Sequence, residues 1–294
     1  MTAPQAPFGR VLTAMVTPFT ADGALDLATA AVLADRLVRQ GNDGLVVNGT
    51  TGESPTTTRQ EQADLVRAVV DAVGDRAQVV AGVGSNDTAH TVELARDAEK
   101  AGAHGLLSVT PYYSKPPDAG LVAHYERSAG ATDLPVMLYD IPGRTGLALR
   151  HEVLVRLAQH PQIVAVKDAK DDLAATSRLL AETDLAVYSG TDALNLPLLS
   201  IGAAGFVSVV SHVVTPQLVE LVQAYERGDV ARARAVNTAL QPVYAGMFRT
   251  QGVILAKAAL ALTGLPVGPV RLPLVDATAE QVETLRADLA GVLG

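Results

Sequence analysis

Ile163-Val164-Ala165-Val166-Lys167 is an apolar run, rich in β-branched residues, that stops on a lysine. Its length and composition read as a buried β-strand. Seven runs of the same kind accompany it: Val11–Val16, Gly44–Val47, Gln78–Val83, Gly105–Val109, Pro135–Tyr139, Ala186–Ser189 and Gly205–Val209. Between them lie segments with apolar residues at i, i+3 and i+4, among them Leu27–Gln40, Arg59–Val73, Thr88–Ala101 and Pro216–Arg227. Strand-then-helix repetition implies parallel strands joined by right-handed crossovers. Eight such units predict a (β/α)8 TIM barrel over residues 8–228. An open doubly wound sheet competes with it. No glycine-rich dinucleotide fingerprint supports that sheet, because Gly82-Val83-Gly84 runs on to Asp87 where a third glycine is expected. After Gly228 the strand pattern ends. Asp229–Thr250, Gly252–Thr263 and Ala279–Val292 read as helices, with Asp229 and Thr278 as N-caps. Residues 229–294 are expected to form a helical C-terminal domain.

Composition narrows the function. Nearly half of the 294 residues are apolar, which excludes disorder as a theme, and no apolar run is long enough to span a bilayer. The net charge of −8 argues against a nucleic-acid or anionic-membrane surface. The first ten residues lack a basic start followed by an apolar stretch, so a cytoplasmic location is expected. With no cysteine, disulfides and thiolate chemistry are excluded. The six histidines show no paired ligand spacing, and no Gly-x-Ser-x-Gly elbow occurs. Neither a metal nor a cofactor is expected.

In a barrel the catalytic groups come from the C-terminal strand ends and the loops after them. Here those positions carry Gly49-Thr50-Thr51-Gly52-Glu53-Ser54, Pro111-Tyr112-Tyr113, Tyr139 through Gly146 with Arg144, Lys167-Asp168, Ser189-Gly190 and Val207-Ser208. Desolvation at a strand end disfavours an ammonium, so Lys167 is a candidate imine-forming amine. Hydroxyls and phenols supply proton relays, the loop after Gly49 can hold a carboxylate, and Arg144 can hold a second one. Each feature alone has an ordinary reading: a snorkelling lysine, a tight turn, a surface arginine. Their order along successive strand ends argues for one site.

These motifs resemble the pyruvate-dependent class I aldolase family that includes dihydrodipicolinate synthase and N-acetylneuraminate lyase, from Gly9 through the C-terminal helices. Segments 112–117 and 140–144 are similar to actinobacterial members. The resemblance implies that Lys167 forms a Schiff base with pyruvate. The enamine then attacks L-aspartate 4-semialdehyde, giving 4-hydroxy-tetrahydrodipicolinate on the route to diaminopimelate and lysine. It implies Tyr139 as acid/base beside the imine, linked through Thr50 to a Tyr113 supplied by a neighbouring subunit. Thr51, with backbone at Gly190 and Val207, would hold pyruvate, and Arg144 the semialdehyde carboxylate. A homo-oligomer is implied, at least a tight dimer and further a tetramer. The alternatives are a sister aldolase acting on a 2-keto-3-deoxy sugar acid, disfavoured by Arg144 and by Ala193 in place of a sugar-binding glutamate, and a non-catalytic sensor. Asp140 departs from the asparagine of many synthases. His90 stands where lysine-inhibited relatives carry a glutamate, and Arg59 adds positive charge nearby, so weak or absent inhibition by lysine is expected.

Overall fold

The computed structural model describes residues 6–292. Eight strands, β1 (Val11–Ala14), β2 (Gly44–Val47), β3 (Gln78–Gly82), β4 (Gly105–Val109), β5 (Val136–Asp140), β6 (Ile163–Asp168), β7 (Ala186–Ser189) and β8 (Gly205–Ser208), close into a barrel in sequence order. All pairings are parallel, including that of β8 back onto β1. Most strand residues are buried on both faces, which explains runs that are apolar throughout rather than alternating. The N-terminal end is plugged by Phe8, whose N–H donates to the Tyr188 hydroxyl at 3.1 Å. Its ring leaves no room for a side chain at Gly105, where a Cβ would lie 2.4 Å from the ring edge.

Helices cover the outside, and several begin where the sequence supplies a cap. Asp26, Asp87 and Asp172 accept from first-turn amides of Leu27–Arg39, Thr88–Lys100 and Leu173–Glu182. Thr58 and Glu61 form a reciprocal capping box at the start of Arg59–Val73. Two expectations are corrected. The helix expected over Pro216–Arg227 starts earlier and spans Ser211–Glu226; it tolerates Pro216 because Val214 leaves helical geometry two residues before it. The helix expected over Asp229–Thr250 is two helices, Val230–Ala239 and Gln241–Met247. Pro242 sits in the first turn of the second, where its missing N–H costs nothing. Asp229 and Thr278 do cap their helices, and Gly252–Leu262 and Ala279–Leu289 complete the chain.

The pairing of β5 with β6 positions the chemistry. Tyr139 lies opposite Lys167, and Asp140 opposite Asp168. Because side chains alternate across a strand, each pair shares a face.

Candidate active site

On one face of that pairing the Lys167 Nζ sits 4.2 Å from the centre of the Tyr139 ring. Both residues are only 5% exposed. Among the described residues Lys167 has no ion-pair partner and no hydrogen-bond partner. Burial therefore dominates and pulls its ammonium down to about 8, with Arg144 adding to the depression and the Asp192 carboxylate opposing it. Burial pushes the Tyr139 phenol up to about 12, so it stays protonated at neutral pH; the Arg144 charge and the Thr50 side chain pull the other way. Gly190 follows β7 against this lysine. A Cβ there would lie 3.1 Å from Lys167 Cε, so only glycine lets the side chain pass freely.

The other face holds the charges back to back with the site. Lys170 Nζ lies 3.4 Å from Asp140 and 3.9 Å from Asp168. Asp140 accepts from the Leu149 N–H, and Asp168 from the Thr176 hydroxyl at 2.6 Å. Burial still raises the Asp140 carboxyl to about 6.

The loop after β2 brings Thr50 and Thr51 to the same end of the barrel. It is tightly folded. Asn48 and Glu53 both adopt left-handed backbone at φ 56°, the Glu53 N–H donates to the Thr50 carbonyl, and the Thr17 hydroxyl donates to the Gly52 carbonyl at 2.6 Å. Thr50 and Arg144 line a cavity of about 430 Å³ together with Val109, Tyr112 and Ile141. Arg144 lies exposed in the helical turn Pro142–Thr145, and none of the described carboxylates pairs with it. Val207 is buried in β8 opposite Leu12.

All eight expected residues thus lie on strand ends, or loops after them, at one end of the barrel, and of these Thr50 and Arg144 alone line the cavity. Tyr113, in the loop after β4, stands apart in exposure: it is 89% exposed and holds a left-handed φ of 71°, a costly conformation for an aromatic residue. Sequence reasoning placed two further residues at these strand ends but gave them no role. Asp192, buried behind Lys167, accepts from the Ser208 hydroxyl at 2.5 Å and from the Val209 and Val210 amides. Glu53 is buried against Lys257, 2.8 Å away. A signal for the second existed: one lysine inside the otherwise apolar helix Gly252–Leu262 needs a partner.

A buried, partnerless lysine at a strand end, backed by a phenol and within the field of a free arginine, defines an imine-forming class of TIM-barrel enzyme. The chain belongs to the dihydrodipicolinate synthetase family, whose model matches residues 7–291. It is 70% identical over 285 residues to a 4-hydroxy-tetrahydrodipicolinate synthase of Acidothermus cellulolyticus, covering 97% of this chain and 92% of that one. It is 65% identical to 4-hydroxy-tetrahydrodipicolinate synthase 2 of Streptomyces coelicolor, covering 98% and 96%. The crystal structure of the Cyanidioschyzon merolae enzyme with lysine bound superposes with a TM-score of 0.96 at 43% identity, covering 98% of this chain and 99% of that one.

Proposed function

We propose that this chain is a 4-hydroxy-tetrahydrodipicolinate synthase, condensing pyruvate with L-aspartate 4-semialdehyde. The observation that carries the residue assignment is the dry, partnerless amine of Lys167 against Tyr139. The neutral amine attacks C2 of pyruvate. Tyr139 carries protons to and from the carbinolamine, water leaves, and loss of a methyl proton gives the enamine. The enamine carbon attacks the aldehyde carbon. The amino group of the adduct then attacks C2, closing the ring and releasing the Lys167 amine. Thr51 with the backbone of Gly190 and Val207 holds the pyruvate carboxylate, and Thr50 links Tyr139 to the relay. Arg144 holds the semialdehyde carboxylate in a charge-assisted pair.

The test is a coupled assay with both substrates, run beside borohydride trapping of pyruvate. Arg144→Ala should still trap pyruvate on Lys167 but lose turnover with the semialdehyde. A charge-assisted hydrogen bond is worth about 1.5–3 kcal/mol, or roughly ten- to a hundred-fold. Unchanged kinetics would point to another acceptor aldehyde, such as that of a sugar-acid lyase.

We infer that Tyr113 works in the site of a second copy. An exposed aromatic held at positive φ makes physical sense when a partner covers it. Mixed dimers of Lys167→Ala and Tyr113→Phe subunits should recover activity; no recovery in verified mixed dimers sinks the assignment. We infer weak or absent inhibition by L-lysine. His90 lines the cavity where an effector ammonium needs a carboxylate. Arg59 is paired with Glu93 and Asp97, so it does not repel the effector as strongly as its bare charge suggests, but those carboxylates are already engaged. Submillimolar inhibition would overturn this.

A further inference from the structure

We propose that Glu53 and Lys257 are positioning residues whose ion pair fixes the Thr50–Thr51 loop and so sets the affinity of the site for the carboxylate of the 2-oxo acid. This rests on the function proposed above.

The two side chains are 1% and 5% exposed and 2.8 Å apart. The second Glu53 oxygen accepts from the Arg271 N–H at 2.8 Å, and Lys257 Nζ donates to the Pro269 carbonyl at 2.6 Å. Lys257 Nζ and the Arg271 guanidinium lie 4.4 Å and 4.1 Å from the centre of one ring, Phe19, in the loop after β1. Arg271 reaches on to the Gly23 and Thr56 carbonyls and to Glu61, which begins the next helix. The segment after the barrel therefore grips the loops after β1 and β2 at once.

What it grips is the piece that carries Thr50 and Thr51. Glu53 is two residues past Thr51 and sits in a backbone conformation that a glutamate adopts only under constraint. Its amide bonds back to Thr50 and the Ser54 amide to Gly49, so its position sets the peptide planes between. Thr17 holds the same loop from the other side through Gly52. A buried ion pair is a poor source of stability: well-packed neutral replacements are often as stable. Its recognised use is to enforce one arrangement over near alternatives, and here the arrangement enforced is that of two substrate-facing threonines.

The experiment compares the intact protein with Glu53→Gln/Lys257→Met, which removes both charges at similar volume, and with Lys257→Arg, which keeps the pair. Borohydride trapping on Lys167 is titrated with pyruvate, KM is measured for each substrate, and thermal unfolding is followed. The double variant should melt near the parent and label fully at saturating pyruvate. Its half-saturating pyruvate should rise about tenfold, the equivalent of about 1.4 kcal/mol. Its KM for the semialdehyde should hold, and Lys257→Arg should keep the parent's pyruvate affinity. If the double variant does not fold, Glu53→Gln alone carries the same expectation for the pyruvate titration, with a lower melting point. An unchanged pyruvate titration in a folded variant overturns the proposal, as does an equal rise in both KM values. A parent protein that takes up no pyruvate on Lys167 overturns the function itself, and this proposal with it.

Discussion

Lys167 and Lys257 are the same residue in nearly the same surroundings with opposite fates. Each is 5% exposed, and each lays its ammonium over an aromatic ring, at 4.2 Å and 4.4 Å. Burial lowers both below the ordinary lysine range. The difference is what else is within reach. Lys257 has the Glu53 carboxylate at 2.8 Å and a carbonyl at 2.6 Å, and Glu53 opposes the effect of burial. Lys167 has the Asp192 charge beyond contact and the Arg144 charge acting against it, and it falls to about 8. Burial alone therefore does not make a nucleophile. Burial without a partner does, because the neutral amine then comes within reach near neutral pH.

The comparison breaks most sharply in a trapping experiment. Lys167→Ala should abolish borohydride-dependent pyruvate labelling and reduce turnover to background, whereas Lys257→Ala at saturating pyruvate should still label one lysine per chain. Mass spectrometry of the digested protein decides it, and any label on Lys257 would erase the distinction drawn between them.

Stability should reverse the ranking. Lys257→Met breaks the buried pair by removing one partner, which costs about 3–5 kcal/mol. Lys167→Met removes an ammonium that gains nothing from burial. With a folded value of about 8 against an ordinary value near 10.4, protonated Lys167 costs the folded state stability at pH 7. That cost is present in full below pH 8, fades as pH rises toward 10.4, and is gone above it. Lys167→Met should thus be more stable than the parent at pH 7, by up to about 3 kcal/mol, and equal to it above pH 10.5. Urea unfolding at the two pH values tests both variants; destabilisation by Lys167→Met at pH 7 would show that the amine has a partner after all.

Much of this was legible in the chain. Eight apolar runs gave eight strands because a parallel barrel buries both strand faces and needs no alternation. Lys167 stood out because it ends such a run. The strand ends were harder: Met15 and Val16 are as apolar as β1 but leave its pairing, and only the closure of the barrel decides that. The break before Gln241 was readable from Pro242 and was outweighed by helical periodicity on either side. The Glu53–Lys257 pair was readable only by half: a lone lysine in an apolar helix asks for a partner, but the sequence does not say which. No local rule connects residues that meet only because the C-terminal segment folds over the loop after β2, and periodicity along either element is unaffected by the other. Asp192 escaped for a related reason: its importance lies in a charge felt by Lys167 from another strand end.

The smallest effect tests that last point. The rate of imine formation at low pyruvate should rise with pH as Lys167 loses its proton, and level off above about pH 8. The negative charge of Asp192 favours the ammonium, so Asp192→Asn should move the inflection to lower pH. Arg144 disfavours it, so Arg144→Ala should move the inflection to higher pH. Each shift should be below about one pH unit, since neither charge touches the amine and each is one of several contributions. Opposite displacements by the two variants would establish that Lys167 is tuned by distant charges, where Lys257 is held by a contact. An inflection unmoved by Asp192→Asn would mean that Asp192 is already protonated in its buried nest of Ser208, Val209 and Val210 donors, a state toward which burial pushes it. The tuning would then fall to burial and Arg144, and the two lysines would differ by one carboxylate alone.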